Sequence, residues 1–330
     1  MRKFFNGIRW FIASLLLILT FLLIVANSVF TSASLTITNP ENPKGWLKKG
    51  DVYEKVVSVS VDKAIEKARK KSAENSPFQK LLTKKEIKRV GNKIFTPEWI
   101  EGEVEPLIDS AYAFLNKKEK LNFKIDLSLI NKRAEKELTK FIDNKIKTIP
   151  QCGPRQKSGC LPASLNRKIM EKILKQRLEQ GLIPKGKVII TEKDVNIEPK
   201  KLEKAQWFFS LTKKLPWLFF LGLLGLSILI ALFIPNKNKK LKVPGYLWIL
   251  SGLSSIGVSS FGENYLSKKI SNFASQKIPA NEKEIIELLE APLKLALNDV
   301  TTYLIYIGIF LILAGMILVF ISRQGNSLKK

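Results

Sequence analysis

The chain has 330 residues, with 55 Lys and Arg against 29 Asp and Glu, and it contains no His. The missing His excludes Ser-His-Asp and Cys-His triads, His-Glu-x-x-His metal sites and most His general bases. Apolar residues are concentrated in four uncharged stretches, 10–30, 216–234, 244–261 and 300–321. Each is about 20 residues, the length that crosses a hydrocarbon core, so a bilayer is the solvent that suits them.

Residues 1–9 carry Arg2, Lys3 and Arg9. A cleaved signal peptide competes with a retained anchor here. The apolar run 10–30 is longer than a usual signal core, and Thr31-Ser32-Ala33-Ser34 makes a loose cleavage site, which favours the anchor. Residues 32–215 then form one large domain, with 40 Lys and Arg against 23 Asp and Glu. A field of that sign would attract anionic lipid headgroups, wall polymers or nucleic acid, but the bases are interleaved with acids, which favours solvated helix faces.

Within this domain, Asn39-Pro40-Glu41-Asn42-Pro43 predicts a stiff, turn-prone linker. Asp51 predicts the N-cap of a helix reaching about Ala73, with Val52, Val56, Val59, Ala64, Ile65 and Ala68 at helical spacing. Thr96-Pro97-Glu98 opens a second helix with Pro at its first position. Glu98, Glu101, Glu105 and Asp109 gather on one face of it. Four carboxylates could hold a cation, but no wrapping loop accompanies them, which favours a solvated face near the positive helix end.

Phe123–Leu127 alternates as a half-buried strand, a helix follows over about Asn131–Lys147, another spans about Leu165–Gln180, and Lys187–Thr191 reads as a second strand. These signals fit a small two-stranded sheet packed on four or five helices. Between them stand the chain's two cysteines, Cys152 and Cys160, in a turn-rich loop. An oxidising exterior lets such a pair persist as a disulfide, and a metal or redox reading lacks further ligands and a Cys-x-x-Cys spacing. Gly181–Val188 mimics a phosphate-binding loop, yet Val188 stands where Ser or Thr would hold magnesium. The run also leaves a helix and enters a strand, the reverse of that motif, so it reads as a helix end and turn.

From Pro199 a helical stretch carries Trp207, Phe208 and Phe209 toward the bilayer. Ser210-Leu211-Thr212-Lys213 has the spacing of a Ser-Lys hydrolase, but Ser-Asp-Asn and Lys-Thr-Gly are missing from the sequence. After the second span, the loop 236–242 carries Lys237, Lys239, Lys240 and Lys242. The segment 262–299 reads as a helical hairpin broken at Pro279, with Asn281 to Glu284 resembling a capping box, its second helix joining the fourth span. The tail 322–330 carries Arg323, Lys329 and Lys330. Lys and Arg near span ends resist translocation, so 1–9, 236–242 and 322–330 are expected in the cytoplasm, and 32–215 and 262–299 outside the plasma membrane. No charged side chain lies inside a span, which disfavours a transport or proton-relay path. Small residues recur instead: Ser251, Ser255 and Ser259, Gly222 and Gly225, Gly308 and Gly315, which permit close helix approach.

The sequence resembles an uncharacterised family of bacterial membrane proteins with a large extracytoplasmic domain between a first transmembrane helix and a C-terminal transmembrane group. The matching residues are Asp51-Val52-Tyr53, Thr96 to Ile100, Phe123 to Leu127, Ile149 to Cys152 and Cys160 to Pro162, over most of 35–215. The resemblance implies architecture and no activity. The expected fold is mostly α, a four-transmembrane-helix bundle with a helix-rich α+β extracytoplasmic domain. The expected function is non-enzymatic binding or scaffolding in the cell envelope, with no cofactor or metal and no specific nucleic-acid binding. Expected partners are the lipid bilayer, an anionic envelope polymer or a protein outside, and a cytoplasmic protein at Lys237, Lys239 and Lys240. The alternatives are a permease-like subunit coupling the outer domain to a cytoplasmic ATPase and, third, a Ser-Lys hydrolase at Ser210 and Lys213.

Overall fold

The computed structural model of the chain describes residues 2–71, 83–148, 186–191, 194, 198–234, 239–277 and 283–327. It is mostly helical. In chain order the elements are α1 (Arg2–Thr38), α2 (Glu41–Lys49), α3 (Val52–Lys71), α4 (Lys84–Ile94), α5 (Pro97–Leu115), β1 (Asn122–Asp126), α6 (Ser128–Thr148), β2 (Lys187–Thr191), α7 (Pro199–Phe233), α8 (Lys242–Lys277) and α9 (Lys283–Ser327). They form two compact units, one of residues 1–46 and 200–330, the other of residues 47–199.

The first unit contains three helices long and apolar enough to cross a membrane, over Gly7–Thr38, Pro199–Phe233 and Leu288–Gln324. They make it a membrane-embedded unit. Its large apolar side chains face outward, Phe11 at 66%, Trp217 at 72% and Phe261 at 81% exposed, while Thr20, Ser32, Thr36, Ser251 and Ser255 are fully buried. That inversion suits lipid, which solvates Leu and Phe as well as a core does. The core holds Ile24, Leu223, Ile230, Ile234, Leu247, Trp248 and Leu311, one contribution or more from each of α1, α7, α8 and α9.

α8 has the length of a span but is not among the three, because its Ser and Gly dilute its apolarity. Those residues serve packing. A Cβ at Gly252 would stand 2.5 Å from the carbonyl oxygen of Gly308, and one at Gly315 would stand 2.5 Å from that of Gly245. The two helices therefore run backbone to backbone at two levels seven residues apart. Gly308 and Gly315 take the packing role expected of them, with Gly245 and Gly252 as partners the sequence reading did not name. Gly222 and Gly225 do not: nothing lies within 4 Å of a Cβ at either, and both are exposed.

Helix boundaries also differ from expectation. α1 runs on past residue 30 to Thr38, α7 passes straight through Pro216, and residues 262–277 continue α8, while residues 283–299 run into the fourth span within α9 as expected. Once nucleated, a helix propagates until something stops it, so an apolar stretch marks where lipid lies and not where the helix ends. The predicted linker shrinks to Asn39 and Pro40, since α2 starts at Glu41 with Pro43 in its first turn, where a missing N–H costs nothing.

The second unit is a water-type fold. Val57, Val61 and Ile65 of α3 pack with Ile87, Phe95 and Ile100. Val90 and Ile94 of α4 pack with Ile130 and Ala134 of α6. β1 and β2 pair antiparallel, from Asn122 opposite Thr191 to Asp126 opposite Lys187, which realises the expected two-stranded sheet. Asp51 does not cap α3 with its side chain as expected. It sits at φ 53, in the left-handed region that ends α2, and its carbonyl accepts from Lys55 N at 3.1 Å.

Candidate functional site

Several hydrogen bonds between helices of the membrane-embedded unit gather at one end. There the chain leaves for the second unit after Trp46 and returns at Lys200. Two prolines set the local problem, because each removes the N–H that would bond the carbonyl four residues earlier. Pro40 leaves Thr36 O, and Asn42 Nδ2 donates to it at 2.8 Å. Pro216 leaves Thr212 O, and Ser34 Oγ of α1 donates to it at 2.8 Å. A hydroxyl from one helix thus completes the hydrogen bonding of another, which lets α7 carry a proline in mid-course.

The same end is tied to α9. Ser32 Oγ donates to Val300 O. Ser259 Oγ of α8 donates to Thr301 O at 3.1 Å. Trp46 Nε1 donates to the Asp299 carboxylate at 2.6 Å, a charge-assisted bond. α1, α7, α8 and α9 are therefore linked at this level, and Trp46, the last residue before the second unit, is bonded to α9. Deeper in the unit, Trp248 Nε1 of α8 donates to Ser227 Oγ of α7 at 3.2 Å. At the opposite end Lys239 Nζ lies 6.0 Å from the centroid of the Trp10 ring. Trp10 to Ser32 is 22 residues of α1, or about 33 Å at 1.5 Å per residue, close to the thickness of a hydrocarbon core.

In the second unit the helix α4, not anticipated from the sequence, carries a polar hub. Thr83 caps it, accepting from Glu86 N at 3.2 Å, while Glu86 Oε2 accepts from Thr83 N at 3.0 Å. Lys145 of α6 donates to Glu86 Oε1 at 2.7 Å. These bonds, Lys145 first and Thr83 second, hold the Glu86 carboxyl down at about 2. The signal was available: Thr83-Lys84-Lys85-Glu86 is the Thr-x-x-Glu capping box.

The described candidates among the expected residues stand in separate surroundings. Of the acidic set, Glu101 pairs with Lys48 at 2.6 Å. The Glu98 carboxyl is lowered by its own backbone N–H and then by the Thr96 hydroxyl. Thr96 does cap α5, accepting from Trp99 N at 3.3 Å. Among the described residues no cluster of three metal-ligating side chains occurs. Ser210 and Lys213 stand one turn apart on α7, Ser210 half-buried and Lys213 exposed. Cys152, Cys160 and Lys237, the helix expected over 165–180 and the break at Pro279 lie outside the described residues. Of the phosphate-loop mimic only Gly186 to Val188 is described, with Gly186 at φ 109 leading into β2.

No family model matches the chain, and comparison with curated proteins and with solved structures finds no match.

Proposed function

We propose that the chain is a non-enzymatic, four-span protein of the bacterial plasma membrane that displays residues 47–199 outside as a binding or scaffolding domain. The latch carries this reading. Ser34 on Thr212 joins α1 to α7 and Trp46 on Asp299 joins α2 to α9, so the helices that lead into and out of residues 47–199 are tied into the bundle. The orientation follows the basic residues: Arg9, Lys239 and Lys240 flank the end opposite the latch, and such residues resist translocation. In this reading α8 is the fourth span, the layout that the resembled family of membrane proteins implies. Cys152 and Cys160 close a short loop by a disulfide in this setting, and labelling of denatured, unreduced protein is expected to find no free thiol.

The test is retention of envelope components by the detergent-solubilised full chain. Saturable binding of an anionic wall polymer or an outer protein is the expected result. Turnover of a wall, lipid or peptide substrate that disappears with one substitution, Ser210→Ala above all, overturns it. A second reading is favoured by the glycine-packed pair α8 and α9, which behaves as one stiff element joined to the latch. In it the chain is a permease-like subunit that relays change between the outer domain and a cytoplasmic ATPase. An ATPase that copurifies and is lost when Lys237, Lys239 and Lys240 are changed to Glu would place it first.

A further inference from the structure

The end of the bundle opposite the latch is cationic and has no counter-charge. Arg9, Lys239 and Arg323 are exposed there, and Lys240 and Lys242 are half-buried. Their common level is fixed by two contacts. Lys239 lies over Trp10, and Gly245, three residues into α8, lies against Gly315, Leu318 and Val319 of α9, just before Arg323. Residues 1–40, 204–262 and 300–330 contain no Asp or Glu. The acids of this unit that come closest in sequence, Glu41, Glu203, Glu263 and Asp299, stand at or beyond the latch end, roughly 30 Å or more along the helices.

Toward the middle of the helices, within two turns of Arg9 and Lys242, large apolar side chains are exposed. Phe11 is 66% exposed, and Leu15 and Tyr246 are exposed on the same helices that carry Arg9 and Lys242. A row of unpaired cations above an apolar wall matches one kind of molecule, a phosphate attached to acyl chains. A free phosphate would not use the wall, and a water-soluble protein would leave it bare. Trp10 fits the same level, since indole favours the boundary between headgroups and chains, and its face holds Lys239 in place.

We propose that this end is a binding site for anionic phospholipid, with Arg9, Lys239 and Lys240 on the headgroup phosphate and Phe11, Leu15 and Tyr246 along the acyl chains. The site is independent of what the second unit binds. It anchors the start of α8 to the leaflet and so fixes the depth of α1.

The experiment uses the full chain in nanodiscs of equal parts phosphatidylglycerol and phosphatidylcholine, extracted into detergent and weighed with its retained lipid by native mass spectrometry. The wild type is expected to retain phosphatidylglycerol preferentially. The triple variant Arg9→Gln, Lys239→Gln, Lys240→Gln is expected to lose that preference by about fivefold per cation removed. Lys239→Arg is expected to keep it, and Lys213→Gln with Lys214→Gln, at the latch end, is expected to leave it unchanged. Equal retention of the two lipids by the wild type overturns the proposal, as does an unchanged preference in the triple variant. An equal loss from the Lys213 and Lys214 pair would assign the preference to overall charge and overturn the site. Displacement of the lipid by millimolar inorganic phosphate would make it a free-anion site, and retention of a cytoplasmic protein in place of lipid would make it a protein contact; either result overturns it.

Discussion

The two units solve the same problem, holding helices together, by opposite means. In the second, Ile and Val knobs are driven inward by water, and charged side chains such as Glu86 and Lys145 tie the helices across the surface at 2.7 Å. In the membrane-embedded unit lipid gives apolar side chains no comparable push inward, so the core of Ile24, Ile230 and Leu311 is supplemented by contacts of small and polar residues. Gly252 meets Gly308, Gly245 meets Gly315, and hydroxyls reach carbonyls. The lesson is that the solvent decides which residues act as glue.

Truncation of a knob should give the largest effect and only where water drives packing. Ile130 is fully buried between α4 and α6, and Ile130→Ala is expected to cost about 3 kcal/mol in chemical unfolding of the second unit, with the membrane helices unaffected. Enlargement should hurt most in the membrane-embedded unit. Gly252→Ala drives a Cβ onto the Gly308 carbonyl and is expected to cost about 2 kcal/mol in detergent unfolding. Gly222→Ala, with open space around it, is expected to cost nothing measurable, and equal losses at the two positions would break the comparison.

The latch allows a sharper test. Ser34→Ala leaves Thr212 O without its donor and is expected to cost about 1 kcal/mol. In a Pro216→Ala background the restored N–H of residue 216 takes that carbonyl, so the same Ser34→Ala change is expected to be nearly silent. A thermal-unfolding double-mutant cycle reads the difference, and additive losses would show that the proline is not the reason for the bond.

The smallest effect belongs to the surface tie. The Glu86 carboxyl titrates at about 2 in the fold against its usual 4.5, so its contribution to stability is complete above pH 4.5. It is lost as pH falls from 4.5 toward 2, because the unfolded chain takes up the proton first. Glu86→Gln should flatten that acid limb of the unfolding curve and leave the membrane helices unchanged.

Much of this architecture is legible in the sequence, for local reasons. Uncharged 20-residue runs require lipid, alternation at Phe123 to Leu127 and Lys187 to Thr191 gives two strands, and Thr96-Pro97 opens a helix through its own side chain and fixed φ. α4 was equally local, written in the cap of Thr83 and Glu86 and in Ile87, Val90 and Ile94 at helical spacing, but those three are the only large apolar residues among its 11. What tertiary structure alone decided is which small residue meets which. Gly222 and Gly308 look alike in sequence, yet one faces lipid and the other a backbone oxygen, because helix rotation is set by the whole bundle. The same holds for Pro216. In sequence it reads as the start of a span, and it is the hydroxyl of Ser34 on α1, bonded to Thr212 O, that lets the chain pass through it as helix.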